Sequence, residues 1–131
     1  MKLPKNLFFL TVFLLFASLL AAQPAIKVEL GDFRFRPDEI RVPAGVAVAL
    51  ELSNTDAVTP HDFVLELPET GADLRIDVPP GKTVTLRFTA PSSPGIYPFY
   101  CSKRFLFFKS HRERGMEGRL IVLPGSGRPT Q

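Results

Sequence analysis

The chain is poor in the residues that bind metals or act as nucleophiles. Its 131 residues include one cysteine, two histidines and two methionines, and tryptophan is absent. It also lacks GxSxG, P-loop and dinucleotide-binding sequences, which argues against the hydrolases and nucleotide-binding proteins that those sequences mark. With 16 basic and 13 acidic residues, the charge balance gives no indication of nucleic acid binding.

The longest apolar run lies at the N-terminus and is short for a membrane span. It covers residues 7–22, whereas a spanning helix needs about 20 apolar residues. Lys2 and Lys5 precede the run and small residues such as Ala22 end it, which is the pattern of a secretory signal. We expect cleavage near Ala22, and retention of residues 1–22 as an N-terminal anchor is the alternative.

The remaining chain predicts one small exported domain. We assign residues 23–123 to this domain and residues 124–131 to a flexible polar tail. Two of the 16 basic residues belong to the signal, so 14 basic and 13 acidic residues remain, a net charge of +1. We expect a monomer in the periplasm or another extracytoplasmic space, with membrane contact only if the signal is retained.

A single cysteine is unusual in an exported protein, where cysteines normally pair as disulfides. Cys101 must therefore form an intermolecular bond, remain a free thiol or bind a metal. As a free residue it could also be a small buried apolar side chain.

Alternating apolar and polar residues predict an all-β fold. Thirteen prolines and nine glycines leave little room for long helices. About eight short strands separated by turn residues indicate a β-sandwich or barrel. The segments that we expect to be strands are 26–30, 33–36, 40–42, 46–52, 63–67, 74–78, 83–88, 95–100 and 118–123.

The few soft and imidazole ligands after the signal form a complete set. They are His61, Cys101, His111 and Met116, and two imidazoles with a thiolate and a weak axial thioether make a blue-copper site. His61 lies just before the predicted strand 63–67, and the other three follow the strand that ends at Tyr100. Taken singly, each is more often a surface or core residue than a ligand, so the interpretation depends on the set as a whole.

Four segments carry a resemblance to a known family. They are Phe35–Gly45, with an F-x-P-x-x-I-x-V-x-A-G pattern, Thr59–Phe63, Pro94–Cys101, and His111–Gly118, with an H-x4-M-x-G pattern. Together they resemble the cupredoxin family, similar to plastocyanin and azurin, over about residues 26–123. The resemblance implies a Greek-key β-sandwich and one type 1 copper ion that cycles between Cu(I) and Cu(II).

The resemblance also implies a role for each ligand. Cys101 is the thiolate ligand, His61 and His111 complete the plane, and Met116 is axial. We expect His111 to be the more exposed histidine and the electron port. Many relatives have asparagine after the first histidine, where it hydrogen-bonds across to the cysteine segment, whereas this chain has Asp62, which when ionised acts only as an acceptor.

The segment between Cys101 and His111 is enlarged. It holds nine residues, 102–110, where plastocyanin-like and azurin-like members have only a few. Residues 103–114 bring five basic residues and four consecutive large apolar residues close to the expected site. They form either an extra hairpin that packs its aromatic rings or a basic and apolar face that docks redox proteins such as cytochromes, oxidases or reductases.

The predicted function is single-electron transfer between redox partners, without enzymatic activity. Copper storage or delivery is one alternative, and a mononuclear copper enzyme with an open coordination position is another. A metal-free interaction module and a cysteine nucleophile with a histidine base are weaker alternatives. The binuclear copper site of oxidase subunits needs a second cysteine, which the chain lacks.

Overall fold

The computed structural model describes residues 24–125. The predicted signal, residues 1–22, lies outside the described residues, as does the predicted tail apart from residues 124 and 125. Within the described range, no helix is long and apolar enough to span a membrane.

Nine strands form the part of the chain that the structure describes, in agreement with the predicted all-β class. The strands are β1 (Ile26–Gly31), β2 (Arg34–Arg36), β3 (Glu39–Pro43), β4 (Ala47–Asn54), β5 (His61–Leu65), β6 (Leu74–Val78), β7 (Thr83–Thr89), β8 (Gly95–Tyr100) and β9 (Glu117–Leu123). One turn of 3₁₀ helix, Arg112–Arg114, precedes β9 and was not predicted. The predicted strand boundaries lie within two residues of these.

The strands form two sheets of a β-sandwich. One sheet has the order β2-β1-β4-β7, and the other has the order β3-β9-β8-β5-β6. The β1–β4 and β3–β9 pairs are parallel and the other neighbouring pairs are antiparallel. This mixture of hairpins and crossovers is the Greek-key sandwich that the sequence predicts.

Alternation of buried and exposed side chains explains how the sheets pack. Strand β7 alternates along its whole length, as expected of a strand with one face on the core and the other in water. Strand β5 lies inside its sheet and is buried at every position. Between the sheets, the rings of Phe63 and Phe99 stack with centroids 4.9 Å apart, and the edge of Phe35 meets both rings. These three rings form part of the hydrophobic core between the sheets.

Strand Phe33–Arg36 was predicted one residue too long. Phe33 lies in the turn between β1 and β2, where its φ is 56° and that of Asp32 is 50°. The alternating pattern of residues 33–36 continues into Phe33, but the tight connection to β1 requires a left-handed backbone there. The ring of Phe33 therefore points to the end of the sandwich rather than into the core between the sheets.

Candidate metal centre

Three loops and one strand bring the predicted ligands to one end of the five-stranded sheet. His61 is the first residue of β5 and Cys101 directly follows β8. Met116 directly precedes β9, whose first residue pairs with the last residue of β8. His111 is the residue before the 3₁₀ turn. Because β5, β8 and β9 are neighbours in the sheet, the strand ends that carry these residues lie together.

The donor atoms of three of these residues form a compact buried cluster. The Nδ1 atoms of His61 and His111 are 3.1 Å apart. The Sγ atom of Cys101 lies 3.8 Å from the first Nδ1 and 3.4 Å from the second. The three ligand atoms lie within 4.8 Å of one another and all three residues are buried. One small ion could contact all three atoms.

Met116 is fully buried next to this cluster. Its backbone carbonyl accepts a hydrogen bond from the Cys101 N–H at 3.1 Å, and its own N–H donates to the His111 carbonyl at 3.0 Å. The backbone of Met116 thus connects the cysteine and histidine segments directly. Its role as an axial ligand remains a prediction.

The enlarged segment between Cys101 and His111 does not displace the cluster. The backbone N–H of His111 donates to the carbonyl of Lys103 at 2.8 Å, which closes the loop at its base. The extra residues therefore extend outward from this closure, and His111 still reaches Cys101. His111 is 6% exposed and His61 is 1% exposed, so His111 is the more exposed histidine, as predicted.

Burial controls the protonation of Cys101 and His111. Burial raises the pKa of the Cys101 thiol to about 12, against a smaller lowering effect of the hydrogen bond from the Asp62 backbone N–H. Burial also lowers the pKa of His111, and the neighbouring His61 and Arg114 add to this effect. The thiol is therefore protonated and His111 is neutral at pH 7, so an ion that binds the sulfur as a thiolate must displace a proton.

Asp62 ties β5 to the residue after the cysteine. The buried carboxylate accepts hydrogen bonds from the Ser102 backbone N–H at 2.6 Å and from the Ser102 hydroxyl, and from Arg75 Nη1 at 3.2 Å. The Asp62 backbone N–H donates to Cys101 Sγ at 3.4 Å. Asp62 is thus a hydrogen-bond acceptor that reaches across to the cysteine segment.

Two neighbours of the histidines were not anticipated. The Nε2 atom of His61 lies 2.7 Å from Asp56 Oδ2. Burial raises the pKa of Asp56, but the hydrogen bonds from His61 and from the Asp32 N–H outweigh this effect and leave the pKa lowered. The edge of the Phe33 ring meets both imidazoles, with centroids 4.9 Å from His111 and 6.3 Å from His61.

No sequence pattern marks these two neighbours as site residues. Asp56 lies in the irregular segment between β4 and β5, and Phe33 reaches the site only through the left-handed turn that contains it. A site aspartate five residues before His61 could have been suspected only because metal-bound histidines commonly donate their second ring N–H to a carboxylate.

The insert carries an exposed apolar surface. Phe105, Leu106, Phe107 and Phe108 are exposed, from 57% for Phe108 to 101% for Phe107. Residues 102–110 contain no strand, so a regular hairpin is not formed, but the rings of Phe105 and Phe108 do stack, with centroids 6.1 Å apart. A pocket of about 510 Å³ lies between this insert and the turn that holds Phe33, and it is lined by Phe33, Val58, Thr59, Pro60, Lys103, Arg104, Phe105, Phe108, Lys109, His111 and Arg114.

Basic side chains surround this pocket. Lys103 forms an ion pair with Asp77 at 2.7 Å, and Arg104 pairs with Glu113 at 2.9 Å. The guanidinium of Arg114 lies over the Phe33 ring, 4.5 Å from its centroid. Residues 102–116 contain five basic residues and one acidic residue, so their formal charge is 5 − 1 = +4.

Known proteins share the fold of this chain. The chain matches the family model of the cupredoxin-like domain over residues 6–122. It is 30% identical over 122 residues to plastocyanin of Dryopteris crassirhizoma, an alignment that covers 77% of this chain and 99% of the plastocyanin. It is also 30% identical over 71 residues to cytochrome c oxidase subunit 2 of Thermus thermophilus, covering 54% of this chain and 47% of the subunit. The chain thus spans less than half the length of that oxidase subunit.

Solved structures of the same architecture include two auracyanins. The dithionite-reduced auracyanin of Roseiflexus castenholzii superposes with a TM-score of 0.61 at 23% identity, covering 79% of this chain and all of that one. Auracyanin A of Chloroflexus aurantiacus, a blue copper protein, superposes with a TM-score of 0.57 at 22% identity, covering 76% of this chain and all of that one. With the family match over residues 6–122, these similarities show that the chain belongs to the cupredoxin-like family.

Proposed function

We propose that the chain binds one copper ion through His61, Cys101, His111 and Met116 and carries single electrons between redox proteins. The observation that carries this proposal is the buried cluster of His61 Nδ1, Cys101 Sγ and His111 Nδ1, in which the three atoms lie within 4.8 Å of one another. Copper held in such a site supplies a one-electron couple between Cu(I) and Cu(II).

The donor set fits copper better than the common alternatives. Two imidazoles, one thiolate and a weak thioether are the ligands of blue-copper sites, whereas structural zinc sites use four strong ligands and magnesium and calcium prefer oxygen. His61 also has its second ring nitrogen engaged by Asp56 at 2.7 Å, which leaves Nδ1 as the atom that faces the cluster. One ring nitrogen of His61 is thus held by Asp56, and the other is directed toward the proposed copper position.

The protein matrix contributes rigidity and exclusion of water. The Asp62 N–H donates to the sulfur of Cys101, and the Cys101 N–H is bonded to the Met116 carbonyl. Both sulfur-containing residues are fully buried. Residues that are fixed by the sheets in this way resist rearrangement, which favours rapid electron transfer because little reorganisation accompanies it.

The shape of the surface supports a carrier rather than an enzyme. Of the four proposed ligands, only His111 lines the 510 Å³ pocket. A substrate in that pocket would therefore meet an imidazole edge and not an open position beside Cys101. We propose that electrons enter and leave through His111.

We further propose that the apolar insert and its basic surroundings dock acidic redox partners. The large exposed rings supply an apolar contact next to His111, and the +4 charge of residues 102–116 attracts a negatively charged surface. The N-terminal pattern supports export, so we place this exchange in the periplasm or another extracytoplasmic space, with the protein as a monomer.

Copper loading tests the proposed centre. Purified protein with one equivalent of Cu(II) should show intense visible absorption from the thiolate-to-copper transition, and a reductant should bleach it reversibly. Cys101→Ser should abolish the absorption, whereas Met116→Leu should retain it with a changed reduction potential. A colourless copper adduct of the wild type would overturn the electron-carrier proposal and favour copper delivery. An unchanged potential in Met116→Leu would overturn the axial assignment.

Reaction with small redox ions tests the docking face. Oxidation of the copper(I) protein by anionic hexacyanoferrate(III) should slow as ionic strength rises, because salt screens the attraction. Lys109→Gln, in the insert, should slow this reaction roughly threefold at low ionic strength. Lys27→Gln, which changes a lysine that is also exposed and lies on β1 of the other sheet, is the matched control. Equal rates for both variants would place electron exchange elsewhere.

A further inference from the structure

A carboxylate contacts the nitrogen of the His61 ring that faces away from the cluster. Its Nε2 atom lies 2.7 Å from Asp56 Oδ2, and the His61 side chain is fully buried while that of Asp56 is 26% exposed. The opposite ring nitrogen, Nδ1, faces Cys101 and His111. A carboxylate accepts hydrogen bonds and does not donate them, so this contact places a proton on Nε2, and in the neutral ring the lone pair is then on Nδ1.

Asp56 is itself fixed by the adjoining segments. Both of its carboxylate oxygens accept from the Asp32 backbone N–H, at 3.2 and 3.3 Å. Its own N–H donates to Asn54 Oδ1 at 3.0 Å. The amide of buried Asn54 in turn donates to the carbonyls of Thr59 and Val78, at 2.8 and 2.9 Å. The carboxylate is therefore part of a connected network rather than a mobile surface group.

The turn between β1 and β2 is shaped to make this contact. Asp32 and Phe33 have φ values of 50° and 56°, a left-handed conformation that is unfavourable for a non-glycine residue. At Gly31, an added Cβ would lie 2.1 Å from Thr55 Oγ1, so glycine permits the close approach of this turn to the segment that contains Asp56. The same turn presents an N–H to Asp56 and a ring to the histidines.

We infer that Asp56 is a positioning residue of the metal centre, which fixes the His61 tautomer and favours the oxidised ion through its negative charge. The inference rests on the proposed copper site. A carboxylate bonded to the far nitrogen of a ligating imidazole raises the basicity of the ligand. A more basic ligand stabilises Cu(II) relative to Cu(I), so Asp56 lowers the reduction potential.

Substitution of Asp56 separates its charge from its hydrogen bond. Asp56→Asn retains an oxygen that can accept from Nε2 but removes the negative charge, and Asp56→Ala removes both. Each should favour Cu(I) over Cu(II) by roughly tenfold, a rise of about 59 mV for a one-electron couple. Asp77→Asn removes one negative charge from an exposed residue that bonds to Lys103, and it should shift the potential much less.

Failure of this inference is distinguishable from failure of the copper proposal. If the wild type gives no thiolate-to-copper absorption, the copper proposal itself fails. If the wild type is blue but Asp56→Asn and Asp56→Ala both have the wild-type potential, only the role of Asp56 is overturned. A shift in Asp77→Asn as large as that in Asp56→Asn would also overturn it, because a general charge effect would then suffice.

The metal-free protein provides a second readout that does not depend on copper. Nitrogen-15 NMR of the His61 ring at neutral pH should show a protonated Nε2 and an unprotonated Nδ1 in the wild type. Asp56→Ala should yield a mixture of tautomers, while Asp77→Asn should retain the wild-type pattern. A wild-type ring with its proton on Nδ1 alone would overturn the inference even if the potential shifts.

Discussion

Asp62 joins β5 to the cysteine segment, and its removal should weaken the fold as well as the site. Asp62→Ala deprives the Ser102 N–H and hydroxyl of their acceptor and removes the ion pair of Arg75, which keeps its hydrogen bond to the Ser102 hydroxyl at 2.6 Å. A hydrogen bond to a charged acceptor contributes about 1.5–3 kcal/mol. The Arg75 side chain is 54% exposed, so its ion pair adds at most about 1 kcal/mol.

Water can reach the half-buried Ser102 and recover part of this loss. We therefore expect Asp62→Ala to lower the free energy of unfolding by about 3 kcal/mol, a large share of the 5–15 kcal/mol typical of a domain. For a domain of about 100 residues, this corresponds to a fall of about 10–20 °C in Tm. Circular dichroism of the metal-free protein, kept reduced, measures the transition without a contribution from metal binding.

Two controls separate the buried bonds from the exposed ion pair. Asp62→Asn retains a carbonyl oxygen for the Ser102 N–H and should lose less than half as much stability as Asp62→Ala. Arg75→Ala removes only the exposed partner and should lower the stability by less than about 1 kcal/mol. A Tm of Asp62→Ala equal to that of the wild type would refute the assigned role of the carboxylate, and an equally large loss in Arg75→Ala would transfer that role to the ion pair.

Two further predictions concern packing and protonation. Gly118→Ala should destabilise the protein by about 1–3 kcal/mol, because the added Cβ would lie 2.4 Å from both the Phe99 ring and the Asp38 carbonyl. Gly95→Ala is the control, because the nearest atom to its added Cβ is 3.8 Å away. A wild-type Tm in Gly118→Ala, or an equal loss of stability in Gly95→Ala, would contradict the steric explanation. Burial raises the pKa of the Cys101 thiol to about 12, so Cu(II) binding should release about one proton, and the affinity should rise about tenfold per unit between about pH 7 and 9. Titration calorimetry in buffers of different ionisation enthalpy measures the release, and a pH-independent affinity would show that the thiol is not the ligand.

Local patterns were sufficient to predict most of the fold. The alternation in residues 83–88 predicted β7 because one of its faces packs on the core and the other meets water. The ligand set was predicted from its completeness, since two imidazoles, one thiol and one thioether have a single common use together. The structure brings three of their donor atoms together, although the residues are separated by as many as 50 positions in the sequence.

The surroundings of the ligands depend on backbone geometry that no local pattern encodes. Phe33 fits an alternating strand by sequence, and only its left-handed φ of 56° turns its ring toward the histidines. Asp56 reaches His61 because the irregular segment after β4 folds back against Gly31, where a side chain would collide with Thr55. The sequence also did not determine whether the four apolar residues of the insert are exposed, because the same residues could have packed in a hairpin.

X-ray absorption at the copper edge of the Cu(II)-loaded protein tests the central claim most directly, because it counts the atoms bound to the metal. We predict one short copper–sulfur distance together with two imidazole nitrogens, and loss of that sulfur in Cys101→Ser. A copper ion surrounded by nitrogen and oxygen alone in the wild type would contradict the claim that Cys101, His61 and His111 share one metal.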